Sequence, residues 1–457
     1  MQPIERNNFS FIPATASDRQ AMLEKIGLDF DDIVTCFSGN ACVEGGLRLS
    51  DGLTEDQVVE KWDALMSRNS GARKASLVGA GAYMHFIPAV VPHLASLPGF
   101  VTAYTPYQPE ISQGTLQGLF EYQSFVVELT DMELANCSLY DGASSTAEAL
   151  LMAHRLKQVD RVLVASTVNP SYLATIRTYL RPHGIVVELV DRDVNGQVSL
   201  SDLEARLTAS ACSAVLVQSP NYFGIVENLG AIGTMVHEHG ALFVQSFTEA
   251  MALGLLRYGK GTGADIVAGE GQSLGMPMSF GGPHLGVFAT LKEYSRQFPG
   301  RIVGESIDTK GRTAFVMTLR AREQDIRREK ATSNICSNHA LNAMTAAIYL
   351  GSVGESGLRA IACENAGKLD KLVRGLEATG RFARVFKEAP VFNETVLASS
   401  ISPDDLRSRL SGVPVYPPLA LARDSVPEVP GMPYAYLVCA TELLKDALLE
   451  QVLGALS

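Results

Sequence analysis

One tryptophan in 457 residues, seven scattered cysteines and a charged fraction of only 19% leave several protein classes without their usual materials. Cys36, Cys42, Cys137, Cys212, Cys336, Cys363 and Cys439 are odd in number and form no C-x-x-C pair. A disulfide framework or a zinc site is therefore not expected, and the thiols read as small buried hydrophobes in a reducing, cytoplasmic setting. No run approaches the ~18 uninterrupted apolar residues of a membrane helix. The opening MQPIERNNFSFIPAT has no apolar core after a basic start, so no secretory signal is expected. A formal charge of −11 argues against nucleic acid or an anionic membrane as the main partner.

Familiar catalytic signatures are missing too. There is no G-x-S-x-G and no H-E-x-x-H. His237 and His239 stand two apart on an expected helix and point away from each other, a poor metal site. Gly254 to Lys260 follows the spacing of a phosphate-binding loop until Gly261 takes the place of its Ser or Thr. Gly79-Ala-Gly81 lacks the third glycine of a dinucleotide fingerprint.

What is present is a core-rich chain. Hydrophobic residues make up 46% and mean hydropathy is +0.11. The length suggests two or three domains of roughly 100–200 residues. Between 161 and 290, apolar runs (RVLVAS, IVVELV, SAVLVQ, ALFVQSF) alternate with helical stretches, the pattern of a mostly parallel sheet covered on both faces. Residues 1–65 read as a polar, helical N-terminal segment, 66–310 as the large α/β domain, and 311–457 as a smaller C-terminal α+β domain. Ser201 and Glu204 have capping-box spacing, NHALNAMTAAIYLG reads as a helix ending at Gly351, and the Pro-rich 413–433 reads as a surface loop.

Three stretches invite a functional reading. Asp141-Gly142-Ala143 leads into Ser144, Ser145 and Thr146, with Ser145 and Glu148 spaced as a capping box; a Gly-rich helix start of this kind suits phosphate. The run AYTPYQPEISQGTLQGLFEYQ presents Tyr104, Tyr107, Gln108 and Glu110 on a proline-stiffened loop, followed by Gly114 and Gly118 four apart on an expected helix. LRAREQDIRREK clusters Arg320, Arg322, Arg327, Arg328 and Lys330 among acidic residues. A salt-bridged helix face is its default reading, and an anion-binding role is the alternative.

The decisive feature is a substitution by omission. ADIVAGEGQSLGMPMSFGGPHLGVFAT runs from a strand into a Gly-rich turn. In a large class of pyridoxal phosphate (PLP) enzymes a lysine at such a turn holds the cofactor. Here Gln272 and Ser273 stand there, and no lysine occurs between Lys260 and Lys292. At the end of ALFVQSF, where an acid would face the pyridine nitrogen, stands Gln245; Glu249 is the nearest acid. The frame is that of a PLP domain, with two of the three cofactor-holding parts absent or displaced.

TAYTPYQPEISQG, GADIVAGEGQSLGMPMSFGGPHLG and REQDIRREKATSNIC resemble the P-protein family of the glycine cleavage system. FIPATASDRQAMLEKIG resembles the start of that family's N-terminal half where the enzyme is split into two polypeptides, an alpha subunit. The resemblance implies a fold type I PLP-transferase architecture. It implies PLP bound through a lysine of a partner beta subunit, decarboxylation of glycine, and transfer of the aminomethyl group to the lipoyl arm of the H-protein. By the same resemblance Tyr107, Gln108, Arg320 and Arg322 are expected near an interface or shared site, and Ser273 is given no catalytic role; Tyr104 on the same loop and Ser144, Ser145 and Thr146 at the Gly-rich helix start are further binding or interface candidates read from the residues themselves. An autonomous PLP enzyme using Lys260 or another lysine, and a non-catalytic scaffold of the same fold, remain as alternatives.

Overall fold

The computed structural model describes residues 14–33, 50–69, 71, 74–335 and 337–457. Cys36, Cys42, Cys336 and the opening residues 1–13 lie outside the described residues. The chain forms two compact units, Met1–Ala72 and Arg73–Ser457. In the first, helix α1 (Ala16–Ile26) starts at Thr15, whose hydroxyl accepts from the Asp18 N–H at 3.2 Å, and stops at Gly27 with φ 71°. Helix α2 is Glu55–Ser67. Neither helix has a buried residue.

The second unit is built on a seven-stranded sheet. Its strands are β1 (Leu134–Ala135), β2 (Arg161–Ala165), β3 (Val186–Val190), β4 (Ala214–Gln218), β5 (Leu242–Phe247), β6 (Ile266–Glu270) and β7 (Gly286–Thr290), in the order β1-β7-β6-β5-β4-β2-β3. The pairs β3–β2, β2–β4, β4–β5 and β5–β6 are parallel; β7 is antiparallel to both β6 and β1. Every residue of β4, β5, β6 and β7 is buried, which is why these strands are written as unbroken apolar runs rather than alternating ones. Each large aliphatic side chain so buried contributes about 1.5–3 kcal/mol.

Helices α3 (Gln113–Thr130), α4 (Gly142–Lys157), α5 (Pro170–Leu180), α6 (Leu200–Ala209) and α7 (Leu229–Glu238) belong to the same unit. An antiparallel hairpin of β8 (Ile302–Ile307) and β9 (Thr313–Thr318) lies against α3 and runs across position 310. Two glutamine amides of α3 hold it. Gln123 bonds both the carbonyl and the N–H of Val303, and Gln113 does the same for Phe315, all four at 2.8–2.9 Å. These pairs satisfy backbone groups of the hairpin that no further strand reaches.

Helix α8 (Ala340–Ala378) links two apolar cores. It contains Gly354 at φ 63°, a break between two helical halves. Residues before the break, such as Ala343, Met344 and Tyr349, join the core of the large sheet. Leu369, Leu372, Val373 and Leu376 join a second core under a four-stranded antiparallel sheet. That sheet comprises β10 (Phe382–Arg384), β11 (Glu394–Ser399), β12 (Leu419–Leu421) and β13 (Tyr434–Cys439), in the order β10-β11-β13-β12. Helix α9 (Asp446–Leu456) closes the chain.

Several local readings are corrected. Helix α6 is capped by Ser199, not Ser201, and α4 by Asp141, not Ser145. A capping residue needs extended dihedrals, and Asp141 has them (φ −158°, ψ 173°) while Ser145 already lies a turn inside. The helix through Ala340 passes Gly351 and breaks at Gly354. Part of the Pro-rich 413–433 is sheet: Val415–Tyr416 pairs with Ala75–Ser76, and β12 pairs with β13. The basic stretch is not one helix face but short turns, Arg320–Arg322, Gln324–Arg327 and Arg328–Lys330.

Candidate functional site

In sheets of this winding, ligands bind outside the carboxyl ends of the parallel strands. Here those ends are Gln218, Phe247 and Glu270, followed by Thr248, Glu249 and the turn 271–276. The space is taken by the chain itself. A segment from Ala80 to Phe86 lies across the strand ends: Asn169 Nδ2 donates to the Ala80 carbonyl at 2.8 Å, and the Tyr83 N–H donates to Gln272 Oε1 at 3.1 Å. The Tyr83 hydroxyl donates to Glu394 Oε1 at 2.6 Å, and the Ala80 N–H donates to Glu394 Oε2 at 2.9 Å. Tyr83, Gln272 and Glu394 are all buried. Burial pushes the Glu394 carboxyl up to about 7, against the pull of these two donors.

His85 sits between two carboxylates. Its Nε2 meets Glu249 Oε2 at 2.9 Å and its Nδ1 meets Glu442 Oε2 at 2.9 Å. With acceptors on both ring nitrogens the imidazolium is the form that fits. Burial alone would lower its pKa; the charges and hydrogen bonds of Glu249 and Glu442 outweigh it and raise the group to about 10. Glu442 also accepts from the Phe86 N–H, and Asn393 Nδ2 donates to Glu249 at 3.2 Å. Glu249, the sequence's nearest acid to a cofactor ring, is thereby committed to His85, Asn393 and the Met251 N–H.

At the start of α4 the arrangement is equally closed. Glu270 Oε2 accepts from the Gly142 N–H at 2.9 Å, while Glu270 Oε1 accepts from the N–H groups of Gln272 (3.0 Å) and Leu285 (3.1 Å). A carboxylate of the chain thus occupies the helix N-terminus that a phosphate would use. Burial raises the Glu270 carboxyl to about 7 in spite of the three donors. Ser144 Oγ bonds within the cap, Ser145 Oγ donates to the Val287 carbonyl, and Thr146 Oγ1 meets the Gly142 carbonyl at 2.7 Å and Ser246 Oγ at 2.9 Å.

Ser273 is buried and its hydroxyl has no hydrogen-bond partner. Gln272 donates to the Met276 carbonyl at 2.7 Å and is fixed across the turn. Gln245 does not face this region: its amide bonds Thr262 Oγ1 at 2.9 Å and the Gly259 N–H at 3.0 Å. Lys260 is half-exposed beside Glu133 in the segment leading into β6, at the opposite end of that strand from Ser273. The described residues therefore do not fit a PLP Schiff base: among them no lysine stands in the turn, Glu249 and Glu270 at the strand ends are committed to other partners, and Glu270 takes the first N–H of α4. Among the described residues no group of three His, Cys, Asp or Glu side chains is placed to hold a metal ion, and no helix is long and apolar enough to cross a membrane.

The second cluster joins the TPYQPE loop to the basic stretch. Its hub, Arg301, was not singled out from the sequence. Buried, it donates through Nη1 to Thr105 Oγ1 (2.8 Å) and through Nη2 to the Tyr107 hydroxyl (3.1 Å), and it pairs with Glu323 at 3.5 Å. Arg301 and Arg320 both stand over the Tyr107 ring, their guanidinium carbons 5.3 and 5.4 Å from its centroid, and Arg320 bonds Asp325 at 2.9 Å. Arg322 turns inward to the carbonyls of Phe298 and Gly300. Tyr107 and Arg320 are thus brought together, with Arg322 close behind. Tyr104 is separate, 73% exposed with its hydroxyl 3.0 Å from Ser337 Oγ, and Gln108 is exposed.

The model of the glycine cleavage system P-protein family matches residues 9–409. The chain belongs to that family. It is 40% identical over 449 residues to a probable glycine dehydrogenase (decarboxylating) subunit 1 of Desulfotalea psychrophila, covering 98% of each chain. It is 41% identical over 451 residues to the protein of the same name in Thermotoga maritima, covering 98% of this chain and 100% of that one. A crystal structure of glycine decarboxylase (P-protein) of the glycine cleavage system in inhibitor-bound form superposes with a TM-score of 0.85 at 37% identity, over 97% of this chain and 99% of that one. Sphingosine-1-phosphate lyase of Burkholderia pseudomallei shares the fold alone, with a TM-score of 0.64 at 15% identity over 92% and 93% of the two chains. The mixed α/β fold with a mostly parallel central sheet is the class expected from the sequence.

Of the groups that close the strand ends, Glu270 had a visible signal: a lone carboxylate at the end of an apolar strand. Tyr83, His85, Glu394 and Glu442 had none, because their partners lie more than 150 residues away.

Proposed function

We propose that this chain is the alpha subunit of a two-chain glycine decarboxylase of the glycine cleavage system, inactive alone. The assembled enzyme decarboxylates glycine with PLP and passes the aminomethyl group to the lipoyl arm of the H-protein. PLP is held by the lysine of a partner beta subunit and not by this chain. The observation that carries the reading is Ser273: it stands in an otherwise intact Gly-rich turn, in a chain that matches proteins named subunit 1 over nearly its whole length. Glu270 at the start of α4 supports the same conclusion, since it fills the place a cofactor phosphate would take.

Tyr104, Tyr107 and Gln108, exposed on the TPYQPE loop, face the partner in this reading; Arg301 and Arg320 hold Tyr107 from behind, and Arg322 braces the Phe298–Gly300 backbone next to Arg301. Ser145 and Thr146 hold the start of α4 against β7 and β5, and Ser144 closes the cap with Asp141. We further propose the division into a helical N-terminal segment (1–65), a large α/β domain (66–310) and a small α+β domain (311–457), supported by the separate apolar cores of the seven-stranded and four-stranded sheets, although the β8–β9 hairpin spans the boundary at 310. A cytoplasmic location is supported by the free thiols of Cys137, Cys212, Cys363 and Cys439.

The test is reduction with borohydride in the presence of PLP. The chain alone is expected to trap no cofactor and to release no carbon dioxide from glycine. The same chain mixed with a lysine-bearing second subunit and lipoylated H-protein is expected to do the latter. Covalent trapping on one lysine of this chain alone would overturn the proposal.

A further inference from the structure

The turn carrying Ser273 continues into a loop, Met276 to His284, whose two ends touch the closed site (the Met276 carbonyl accepts from Gln272, and His284 Nδ1 lies 3.9 Å from Glu270 Oε2) while its middle does not. Its tip is unusual in two respects. Phe280 is 105% exposed, the full area of an isolated side chain. Four successive residues have left-handed backbone: Ser279 (φ 43°), Phe280 (φ 56°), Gly281 (φ 111°) and Gly282 (φ 135°). Glycine adopts this region freely, but a bulky aromatic does not. The chain therefore holds a large apolar ring out in water, on backbone that disfavours it.

The root of the loop is firm. Asn342 Nδ2 donates to the carbonyls of Pro283 (3.1 Å) and His284 (2.7 Å), His339 Nδ1 lies 2.8 Å from the His284 carbonyl, and the Gly281 N–H closes a turn on Met278 at 2.9 Å. Beside it, a hollow of about 250 Å³ is lined by Tyr104, Pro283, Leu341 and Asn342. Tyr104 (73%) and Leu341 (41%) are exposed there as well. A projecting aromatic on a pinned base, next to a shallow hollow of mixed polar and apolar lining, has the makeup of an interface anchor: it loses little entropy on docking and gains full burial of its ring.

We propose that the Met278–Gly282 loop is a docking element for the second subunit, with Phe280 its anchor entering an apolar pocket of that partner. The inference rests on the two-chain reading above. The second subunit is the favoured occupant, because the relatives that match over nearly the full chain are named as subunit 1 of an enzyme. In addition, the loop continues directly from the turn whose lysine is supplied elsewhere.

The experiment measures association of the full chain with a purified lysine-bearing second subunit by isothermal calorimetry and sedimentation. It compares the wild type with F280A, F280D and V194D, a control at another exposed apolar residue. F280A is expected to weaken association by about 30-fold or more, with V194D like wild type. A second readout uses the double variant W62F/F280W, which leaves a tryptophan at the loop alone; its emission is expected to shift to the blue when the partner is added. Wild-type affinity in F280A together with unshifted emission would overturn the proposal and leave the two-chain reading standing. Failure of the wild-type chain to associate at all would overturn both. Self-association of this chain that F280D abolishes would assign the loop to a second copy, and overturn it too.

Discussion

The Glu270 carboxylate accepts a hydrogen bond from the Gly142 N–H at 2.9 Å, across 128 residues of sequence. That contact places a carboxyl group of the protein at the one helix start that the sequence marks as suited to an anion. The frame of a cofactor site is preserved while the site is closed from within. Removing the plug is the direct way to test this. In E270A three buried N–H donors lose their acceptor, and the expected cost is about 2–3 kcal/mol of stability. Inorganic phosphate should recover part of it by entering the vacated helix terminus. Urea unfolding with and without phosphate measures both; an unchanged midpoint in E270A would show that the contact does not stabilise the fold.

His85 makes stability depend on alkaline pH. Its folded pKa, raised to about 10, lies above the roughly 6.5 of an unfolded histidine, so the folded state binds the proton more tightly. The contribution is fully present below about pH 6.5 and is lost as pH rises through the folded value. Urea midpoints of the wild type should therefore fall between neutral pH and about pH 10, and those of H85Q should start lower, by about 3 kcal/mol, and vary less. Parallel curves for the two proteins would contradict the assignment of the imidazolium.

Arg301 distinguishes geometry from charge. R301A leaves Glu323 buried without its cation and frees Thr105 and Tyr107, and is expected to destabilise by about 3 kcal/mol. R301K keeps the charge but not the fork that reaches two hydroxyls at once, so it should recover less than half of the loss. Thermal unfolding of the three proteins decides it; full recovery by lysine would mean that charge alone matters.

The two glycines of α3 should behave oppositely. A Cβ at Gly118 would come within 2.3 Å of Met344 Cε, whereas one at Gly114 would meet nothing within 4 Å. G114A is expected to stabilise by about 0.5 kcal/mol through helix propensity, while in G118A the crowding of Met344 should cancel that gain or exceed it. Chemical denaturation reads both, and equal shifts would rule out the close approach of α3 to α8.

What the sequence determined by itself is whatever depends on short-range pattern. Unbroken apolar runs with helical stretches between them specify a parallel sheet, because only strands buried on both faces carry no polar side. The absence of any lysine between Lys260 and Lys292 is likewise a fact of the sequence that no tertiary contact can reverse. Even there, single positions slipped: the α4 cap moved from Ser145 to Asp141, since spacing alone cannot tell which residue has extended dihedrals. Only the tertiary structure decided what fills the crevice. Tyr83 reaches Glu394, His85 reaches Glu249 and Glu442, Arg301 reaches Thr105 and Tyr107, and Gln245 turns toward Thr262. Those choices are set by the desolvation of buried polar groups, each of which must find a partner wherever the fold brings one; in every pair but Gln245–Thr262 that partner lies 164 or more residues away and leaves no local trace in the chain.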